Sequence, residues 1–280
     1  MCQSTNKKQL IGYEKDYLVK CAKCSFVYCE NIPSPDELNK YYLNYGSEHY
    51  LSPITVSRYE ELLDGFEKFR KNNTILDVGC GSGYFLEVAQ KKGWKVYGTE
   101  FSDHQVDKCS KKGITMKQGE ISADMFENEY FDIITSFEVL EHTNNPQQQI
   151  RQINKLLRPG GALYLTTPNF NALYRLRLKG KYNVINYPEH LSYFTKKTLH
   201  RLFKQNGLKK ISLVSHGISI SRIKTSLGDK QDYISPESDD EKIRAAFEKN
   251  KFKKGVKSII NSCFNLFGVG DKLKAFYIKN

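Results

Sequence analysis

Long hydrophobic runs are missing from this sequence. No apolar stretch approaches the roughly eighteen residues that a helix needs to span a membrane. The first ten residues, MCQSTNKKQL, lack the hydrophobic region of a secretory signal peptide. We therefore predict neither a membrane span nor a signal peptide, and we place the protein in the cytoplasm. Its 280 residues are 39% hydrophobic and 26% charged, which is ordinary for a soluble globular protein.

A disulfide framework is also not expected, because only seven cysteines occur in 280 residues. Two of them form a C-x-x-C knuckle of the kind that binds structural zinc, which takes four ligands. The candidate ligands are Cys2, Cys21, Cys24 and Cys29. Two other interpretations stay open: the sequence begins within a ribbon whose first knuckle is incomplete, or the ribbon has lost its metal. In each case the role is structural, because no histidine or carboxylate is placed here to leave an open catalytic position.

Acidic residues are scarce in two segments, which account for the positive net charge of +12. Residues 175–224 contain twelve basic residues and one acidic residue, and residues 241–280 contain ten basic and three acidic residues. Residues 1–174 are nearly neutral. This distribution indicates either an anionic substrate or surface that is contacted after residue 174, or a solvated basic face that keeps the protein soluble.

The stretch from Thr74 to Phe85, TILDVGCGSGYF, predicts a buried strand that runs through a glycine-rich turn into a helix. Glycine is needed in such a turn because a Cβ would clash with positive φ and would keep a ligand away from the backbone. The N–H groups at the start of the helix point at the turn, so a ligand can bind there. The dinucleotide pattern G-x-G-x-x-G has a bulky Tyr84 at its last position here, which weakens an NAD interpretation.

Four further strands are predicted, and helical patterns separate them. The first, Trp94–Glu100, ends in a carboxylate 21 residues after Gly79, the spacing of one strand-helix-strand step, and an acid there can accept hydrogen bonds from ribose hydroxyls. Phe101 can then lie against an adenine. The other strands are Ile114–Ile121, Phe131–Phe137 and Ala162–Asn169, and Thr195 predicts an N-cap for a helix over Lys196–Gln205. Alternating strands and helices predict an α/β fold with a Rossmann-like, doubly wound parallel sheet.

Five motifs occur in one order between residues 76 and 169: LDVGCGSG, the acid that ends the second strand, Gly-Glu after the third, FD-strand-EVLEH, and LRPGG-strand-TPN. This order resembles the class I S-adenosylmethionine (SAM) methyltransferases, and more narrowly the bacterial small-molecule group that includes the ubiquinone O-methyltransferases. The resemblance implies SAM as cofactor and a mostly parallel sheet with an antiparallel last strand. The residues that it implies for the cofactor site are Asp77, Gly79, Cys80, Gly81, Gly83, Glu100, Phe101, Glu120, Ile121 and Phe137.

Two later stretches, YPEHLSYFT from Tyr187 and GVGD from Gly268, resemble methyltransferases that carry an N-terminal zinc ribbon and occur with surface-polysaccharide or modified-sugar pathways. The predicted organisation is a ribbon-like segment over 1–35, linker helices over 36–72, a SAM-binding domain over 73–224, and an acidic linker with a basic amphipathic helical extension over 225–280. The linker contains an aromatic cluster that either lines a substrate pocket or packs on the core: Tyr41, Tyr42, Tyr45, His49 and Tyr50. The basic segment 242–266 either docks on the protein's own core or contacts an anionic membrane.

The implied reaction is displacement at the sulfonium methyl, for which an alcohol acceptor must lose a proton. The candidate bases are His142 and His190, with Glu141 and Tyr193 as weaker candidates. Basic residues before His190 are suited to the phosphates of a nucleotide-linked or lipid-linked acceptor, and the substrate candidates are Arg175, Arg177 and Tyr193, with Lys179 and Lys181 nearby. The predicted acceptor is a sugar or another polar metabolite. The alternatives are a quinone-type phenol, a nucleic-acid-binding role and a non-catalytic SAM-binding role.

Overall fold

The computed structural model describes residues 2, 4–34, 37–38, 50–228 and 251–280. The strands are β1 (Lys7–Gln9), β2 (Leu18–Cys21), β3 (Val27–Cys29), β4 (Thr74–Val78), β5 (Lys95–Glu100), β6 (Thr115–Gln118), β7 (Phe131–Phe137), β8 (Leu157–Pro168), β9 (Ser192–Tyr193), β10 (Leu208–His216) and β11 (Lys272–Lys279). Seven of them form the main sheet, in the order β10-β11-β8-β7-β4-β5-β6. Strands β4 to β8 are parallel to one another, and β11 is antiparallel to both β8 and β10. The predicted Rossmann-like sheet with an antiparallel last strand is confirmed.

The helices within the described residues are α1 (Pro53–Phe66), α2 (Tyr84–Lys91), α3 (Asp103–Lys111), α4 (Pro146–Leu156), α5 (Leu173–Leu178), α6 (Lys196–Gln205), α7 (Ile220–Ser226) and α8 (Lys251–Phe267). Short 3-10 turns occupy Glu14–Asp16, Glu67–Phe69, Leu140–His142 and Lys179–Lys181. Helix α6 begins as predicted: Thr195 and Thr198 each accept a hydrogen bond from the other's backbone N–H. In the part of the chain that the structure covers, no helix has the length and apolar character needed to cross a membrane.

The core lies on both faces of the main sheet. Strand β4 is buried along its whole length, which is why its sequence is a nearly continuous apolar run. Leu76 and Val78 pack on the face covered by α4 and α6, whereas Ile75 packs on the face covered by α1, α2 and α3. This packing holds the carboxyl ends of the parallel strands in place along one edge of the sheet, where ligands bind in folds of this kind.

Strand β11 extends the main domain beyond residue 224, the boundary that the sequence predicted. It lies between β8 and β10, and its Leu273, Ala275 and Tyr277 are fully buried. The predicted helical extension corresponds to α8, whereas most of the predicted acidic linker, like the start of the basic segment, lies outside the described residues. Helix α8 exposes Leu266 and Phe267, and its two interpretations, docking or membrane contact, stay predictions.

The N-terminal segment forms a second sheet with a strand from the main domain. Strands β1, β2, β3 and β9 pair antiparallel in that order, and β9 comes from residues just after His190. The ribbon-like segment is therefore joined to the main domain through its own hydrogen bonds. Of the predicted linker helices, α1 forms, and Tyr50 lies at the surface. The other members of the aromatic cluster lie outside the described residues: Tyr41, Tyr42, Tyr45 and His49.

Candidate active site

The glycine turn connects β4 to α2 and opens at the carboxyl edge of the sheet. Gly79, Gly81 and Gly83 all have positive φ, at +69°, +53° and +75°. The backbone N–H groups of Gly79 and Cys80 both donate to the carbonyl of Thr99, at 2.9 and 3.0 Å, which ties the turn to β5. A Cβ on Gly79 would lie 2.6 Å from Val139 Cγ2, so glycine is required there for packing as well as for φ.

Glu100, at the end of β5, faces the same turn. Its carboxylate accepts the N–H of Gly81 at 2.9 Å, and also the N–H groups of Phe101 at 2.7 Å and Ser102 at 3.2 Å. These three bonds hold the carboxylate in one orientation: Oε1 accepts two of them, and Oε2 accepts one and keeps a second lone pair for a ligand hydroxyl. The Phe101 side chain is 56% exposed beside it, which suits a flat ring system such as adenine.

The other predicted cofactor residues differ in their accessibility. Asp77 is buried and accepts a hydrogen bond of 2.8 Å from the Thr135 hydroxyl, and burial raises the pKa of this carboxyl to about 7. Glu120 is exposed and accepts a 3.4 Å hydrogen bond from Thr143. Cys80 and Phe137 are half-buried, and Ile121 is buried. Asp77 therefore braces β4 against β7, and the more accessible residues are the ones placed to meet a ligand.

Two histidines come together beside this turn although 48 positions separate them in the sequence. The rings of His142 and His190 pack edge to face with their centroids 4.8 Å apart. His190 Nδ1 lies 2.7 Å from the carbonyl oxygen of Val184, and His142 Nδ1 lies 3.1 Å from that of Glu189. A carbonyl only accepts, so Nδ1 of His190 carries the hydrogen and Nε2 carries the lone pair of a base.

Burial keeps both imidazoles neutral. It lowers the pKa of His142, and together with the neighbouring His142 it lowers the pKa of His190 to about 4. Glu141 lies next to the two rings, and its carboxylate accepts a 2.9 Å hydrogen bond from Thr167. Burial, reinforced by the charge of Glu138, raises the pKa of Glu141 well above its ordinary value. One ligand atom from each of Glu141, His142 and His190 lies within 4.8 Å of the others, a spacing that also suits a divalent cation.

Glu138 and Arg222 are site residues that the sequence analysis missed. Glu138 follows β7 with a φ of +55°, rare for a residue with a side chain, and its carboxylate pairs with Arg222 at 3.3 Å and Lys272 at 3.4 Å. Burial raises the pKa of Glu138, but these two cations outweigh burial and lower it. The sequence could have identified Glu138, because it is the first residue of the EVLEH motif. It could not have identified Arg222, on α7, because nothing distinguishes this residue from the many other basic residues.

The same region contains buried polar atoms that lack partners. Tyr182 and Asp271 lie close enough to Arg222 for its charge to act on their pKa values, both of which burial raises. Tyr182 Oη and Asp271 Oδ1 make no hydrogen bond of normal geometry within the described part of the chain. Tyr182, Asp271 and Arg222 therefore form one polar cluster next to Glu138.

Two of the three predicted substrate residues have other contacts. Arg175 is buried: its Nη1 donates to the Tyr13 hydroxyl at 2.6 Å, and its guanidinium lies 4.0 Å from the centroid of the Phe170 ring. The prediction that Arg175 grips a phosphate does not fit this position, because the side chain turns inward to hold the N-terminal segment. Arg177 is exposed on α5. Tyr193 is buried, and its hydroxyl donates to the backbone carbonyl of His190 at 3.1 Å, so it helps to fix the backbone that carries the histidine.

The predicted zinc ligands divide into a cluster of three and a separate thiol. The sulfurs of Cys2, Cys21 and Cys24 lie within 4.8 Å of one another, with Cys2 and Cys21 3.4 Å apart. Cys29 does not join them: its thiol donates to the carbonyls of Asp16 at 3.2 Å and His190 at 3.3 Å. The structure thus brings together three thiols, which could supply three of the four ligands of a tetrahedral zinc site. The fourth thiol, that of Cys29, contacts the backbone carbonyl of His190 instead.

Comparison with known proteins identifies the family to which this chain belongs. Residues 49–213, more than half of the chain, match the family model described as a methyltransferase domain. A ubiquinone biosynthesis O-methyltransferase of Hydrogenovibrio crunogenus is 33% identical over 135 residues, which are 45% of this chain and 54% of that protein. The protein of the same name from Pseudomonas paraeruginosa is 31% identical over 134 residues, 44% of this chain and 54% of that protein. The chain therefore spans about half the length of the curated relatives that it matches.

Solved structures share the fold. Geranyl diphosphate C-methyltransferase from Streptomyces coelicolor, in complex with Mg²⁺, geranyl diphosphate and S-adenosyl-L-homocysteine, aligns with a TM-score of 0.60 and 14% identity over 89% of this chain and 100% of that chain. A SAM-dependent methyltransferase from Archaeoglobus fulgidus aligns with a TM-score of 0.55 and 16% identity over 81% of this chain and 93% of that one. At such identities the likeness concerns the fold alone.

Proposed function

Because this chain belongs to the class I SAM-dependent methyltransferases, we propose that it methylates a hydroxyl of a polar small molecule, such as a free or carrier-linked sugar. The observation that carries the acceptor class is the group of partly buried charges that begins at Glu138. Val139 packs directly on Gly79 of the glycine turn, so the neighbouring Glu138, with Arg222 and Lys272, lies beside the cofactor site. Carboxylates and guanidinium groups pair well with hydroxyls, whereas an apolar acceptor would leave their remaining hydrogen-bonding capacity unused.

The residues of the chain divide the work of such a transfer. SAM, when bound, supplies an electrophilic methyl group on its sulfonium. Glu100 and the backbone of the glycine turn would hold the nucleoside and methionine parts of the cofactor. His190 has a ring that burial, reinforced by the neighbouring His142, keeps neutral, and its Nε2 can accept the proton of the acceptor hydroxyl. Burial raises the pKa of Glu141, which favours the protonated form that can donate a hydrogen bond to the acceptor.

A quinone-type phenol is the alternative acceptor, supported by the names of the curated relatives. A phenol site needs an apolar wall for the ring. The charged residues beside the glycine turn favour the polar acceptor instead. Nucleic-acid binding has less support, because two basic residues of the 175–224 segment are engaged inside the protein: Arg175 with Tyr13, and Arg222 with Glu138.

We expect purified protein to bind SAM and to form S-adenosylhomocysteine with a sugar acceptor. The assay compares a nucleoside-diphosphate sugar, the same sugar without the diphosphate, and a catechol-type phenol, with NAD binding as a negative control for the cofactor. Turnover with the phenol alone would replace the proposed acceptor by the alternative. Equal rates with and without the diphosphate would leave Arg177 without a role in phosphate binding. If SAM does not bind, the cofactor assignment fails.

We also propose that Cys2, Cys21 and Cys24 hold a structural zinc. The three sulfurs have the spacing of zinc thiolates, and the pKa of Cys21 is lowered to about 7, because hydrogen bonds from the Cys24 backbone and the Cys2 thiol outweigh its burial. A metal here would tie the residues before β1 to the end of β2 and to the turn that leads into β3, whose Cys29 contacts the backbone of His190.

Metal analysis is expected to find about one zinc per chain in protein purified without chelator, and the variant Cys24→Ser should lose it. The matched control is Cys263→Ser, because Cys263 is an exposed thiol on α8. Wild-type protein with well under one zinc per chain would contradict this proposal.

A further inference from the structure

Two cysteines, one in the glycine turn and one packed against it, have thiols to which the proposed methyl transfer gives no role. Cys80 is a half-buried residue of the turn, and Cys109 is a fully buried residue of α3. Their sulfurs approach the same backbone oxygen: Sγ of Cys109 lies 3.3 Å from the carbonyl oxygen of Gly81, and Sγ of Cys80 lies 3.9 Å from it. The two thiols, from distant parts of the sequence, therefore share one small space.

Glycines make room for these thiols. A Cβ on Gly83 would lie 2.8 Å from Sγ of Cys109, and a Cβ on Gly98 would lie 2.9 Å from Sγ of Cys80. Met116 adds a third sulfur, 3.9 Å from that of Cys80. Three sulfur atoms thus lie close together here, beside Ile114 and Leu86, and sulfur reacts with oxidants more readily than these aliphatic side chains.

The two thiols also set each other's ionisation. A hydrogen bond from the Cys80 thiol, helped by the charge of Lys112, lowers the pKa of Cys109. The same pairing with Cys109, followed by burial, raises the pKa of Cys80. Cys109 is thus the more acidic thiol of the pair and the candidate attacking thiolate, and Cys80 is the candidate resolving thiol.

We propose that Cys80 and Cys109 are a redox modification site, at which peroxide forms a reversible disulfide that closes the SAM site. The thiolate of the pair attacks one oxygen of hydrogen peroxide, the O–O bond breaks, and hydroxide leaves, so that this sulfur is oxidised to a sulfenic acid. The other thiol then attacks the sulfenic sulfur, an S–S bond forms, and water leaves. In total two thiols and one peroxide give one disulfide and two waters.

The disulfide would disturb the turn at its contacts with the cofactor. A disulfide brings its two sulfurs to about 2 Å, so the Cys80 side chain must move toward α3. The N–H of Gly81, which follows Cys80 directly, now donates to Glu100 at 2.9 Å. Moving Cys80 would pull this N–H away and release the carboxylate from its orientation. Bound SAM would cover the turn and slow the oxidation.

The test treats the full-length protein with hydrogen peroxide and measures SAM affinity by calorimetry and linked peptides by mass spectrometry. We expect a peptide pair joined through Cys80 and Cys109. We also expect SAM affinity to fall by at least about tenfold, equivalent to about 1.4 kcal/mol, and to recover with dithiothreitol. The variant Cys109→Ser should keep its SAM affinity after the same treatment. The control Cys263→Ser should respond like the wild type, and preincubation with SAM should protect both.

Three results would overturn the proposal. They are loss of SAM binding without the linked peptide, equal loss in Cys109→Ser, and a linked protein that binds SAM normally. The inference rests on SAM binding at the glycine turn, and the reduced protein tests that separately. If the reduced protein does not bind SAM, the proposed function fails; if it binds and the oxidised protein binds equally well, only the redox site fails.

Discussion

Replacing His190 by alanine is expected to slow methyl transfer by about 10²- to 10⁴-fold, the usual contribution of a general base, while SAM affinity stays unchanged. The imidazole Nε2 is the candidate proton acceptor, because Nδ1 is held by the carbonyl of Val184 at 2.7 Å. Steady-state kinetics with the acceptor measures the rate of methyl transfer, and calorimetric titration measures the affinity for SAM.

Two further variants separate a lost base from a disturbed loop. His190→Asn keeps a side-chain donor toward Val184 but offers no base, so it should be as slow as the alanine variant. His200→Ala removes an imidazole on α6 that is bonded to the Tyr277 hydroxyl instead, and it should retain wild-type rates. A His190→Asn enzyme with normal turnover would show that the ring supports the loop and does not remove the proton.

The pH profile provides an independent check. Burial and the neighbouring His142 lower the pKa of His190 to about 4, so the base form is present above that pH and is lost as the pH falls through it. The turnover number of the wild-type enzyme should therefore stay level from pH 8 down to about 5, where an ordinary histidine would already be protonated. A decline that begins near pH 6.5 would assign the titration to a solvent-exposed imidazole.

Replacing Glu100 by glutamine is expected to raise the dissociation constant of SAM by about ten- to a hundredfold, since a hydrogen bond to a charged group is worth about 1.5 to 3 kcal/mol. The carboxylate accepts backbone N–H groups through both oxygens, and a glutamine would present an NH₂ group to one of them. The orientation of the acceptor for the ribose hydroxyls would be lost with it.

Calorimetric titration of SAM measures this effect, and Glu60→Gln is a matched control because Glu60 is an exposed residue of α1. Thermal unfolding in parallel distinguishes loss of binding from loss of fold. An unchanged dissociation constant for Glu100→Gln would mean that this acid serves the turn alone and that the ribose binds elsewhere.

The local parts of the fold were predictable because their causes are local. The burial of β4, the positive φ of the three glycines after it, and the mutual cap of Thr195 and Thr198 each depend on residues within a few positions of one another. The same holds for Glu100, whose place at the end of the next strand follows from the length of one strand-helix-strand step. Residue spacing and residue type determine such features, so the α/β fold and the glycine turn could be predicted from the sequence alone.

The contacts that make the acceptor site depend on packing between distant segments. Arg175 and Arg222 look alike as basic residues, yet one is drawn inward by Tyr13 and the other is paired with Glu138. Cys29 leaves the zinc candidates because β3 pairs with β9 and brings its thiol to His190. Each of these contacts joins residues that lie tens to more than a hundred positions apart. The hydrophobic periodicity of the sequence does not predict contacts over such separations. These contacts are decided only when the two sheets form and β11 pairs between β8 and β10, because the partners come together in the folded chain alone.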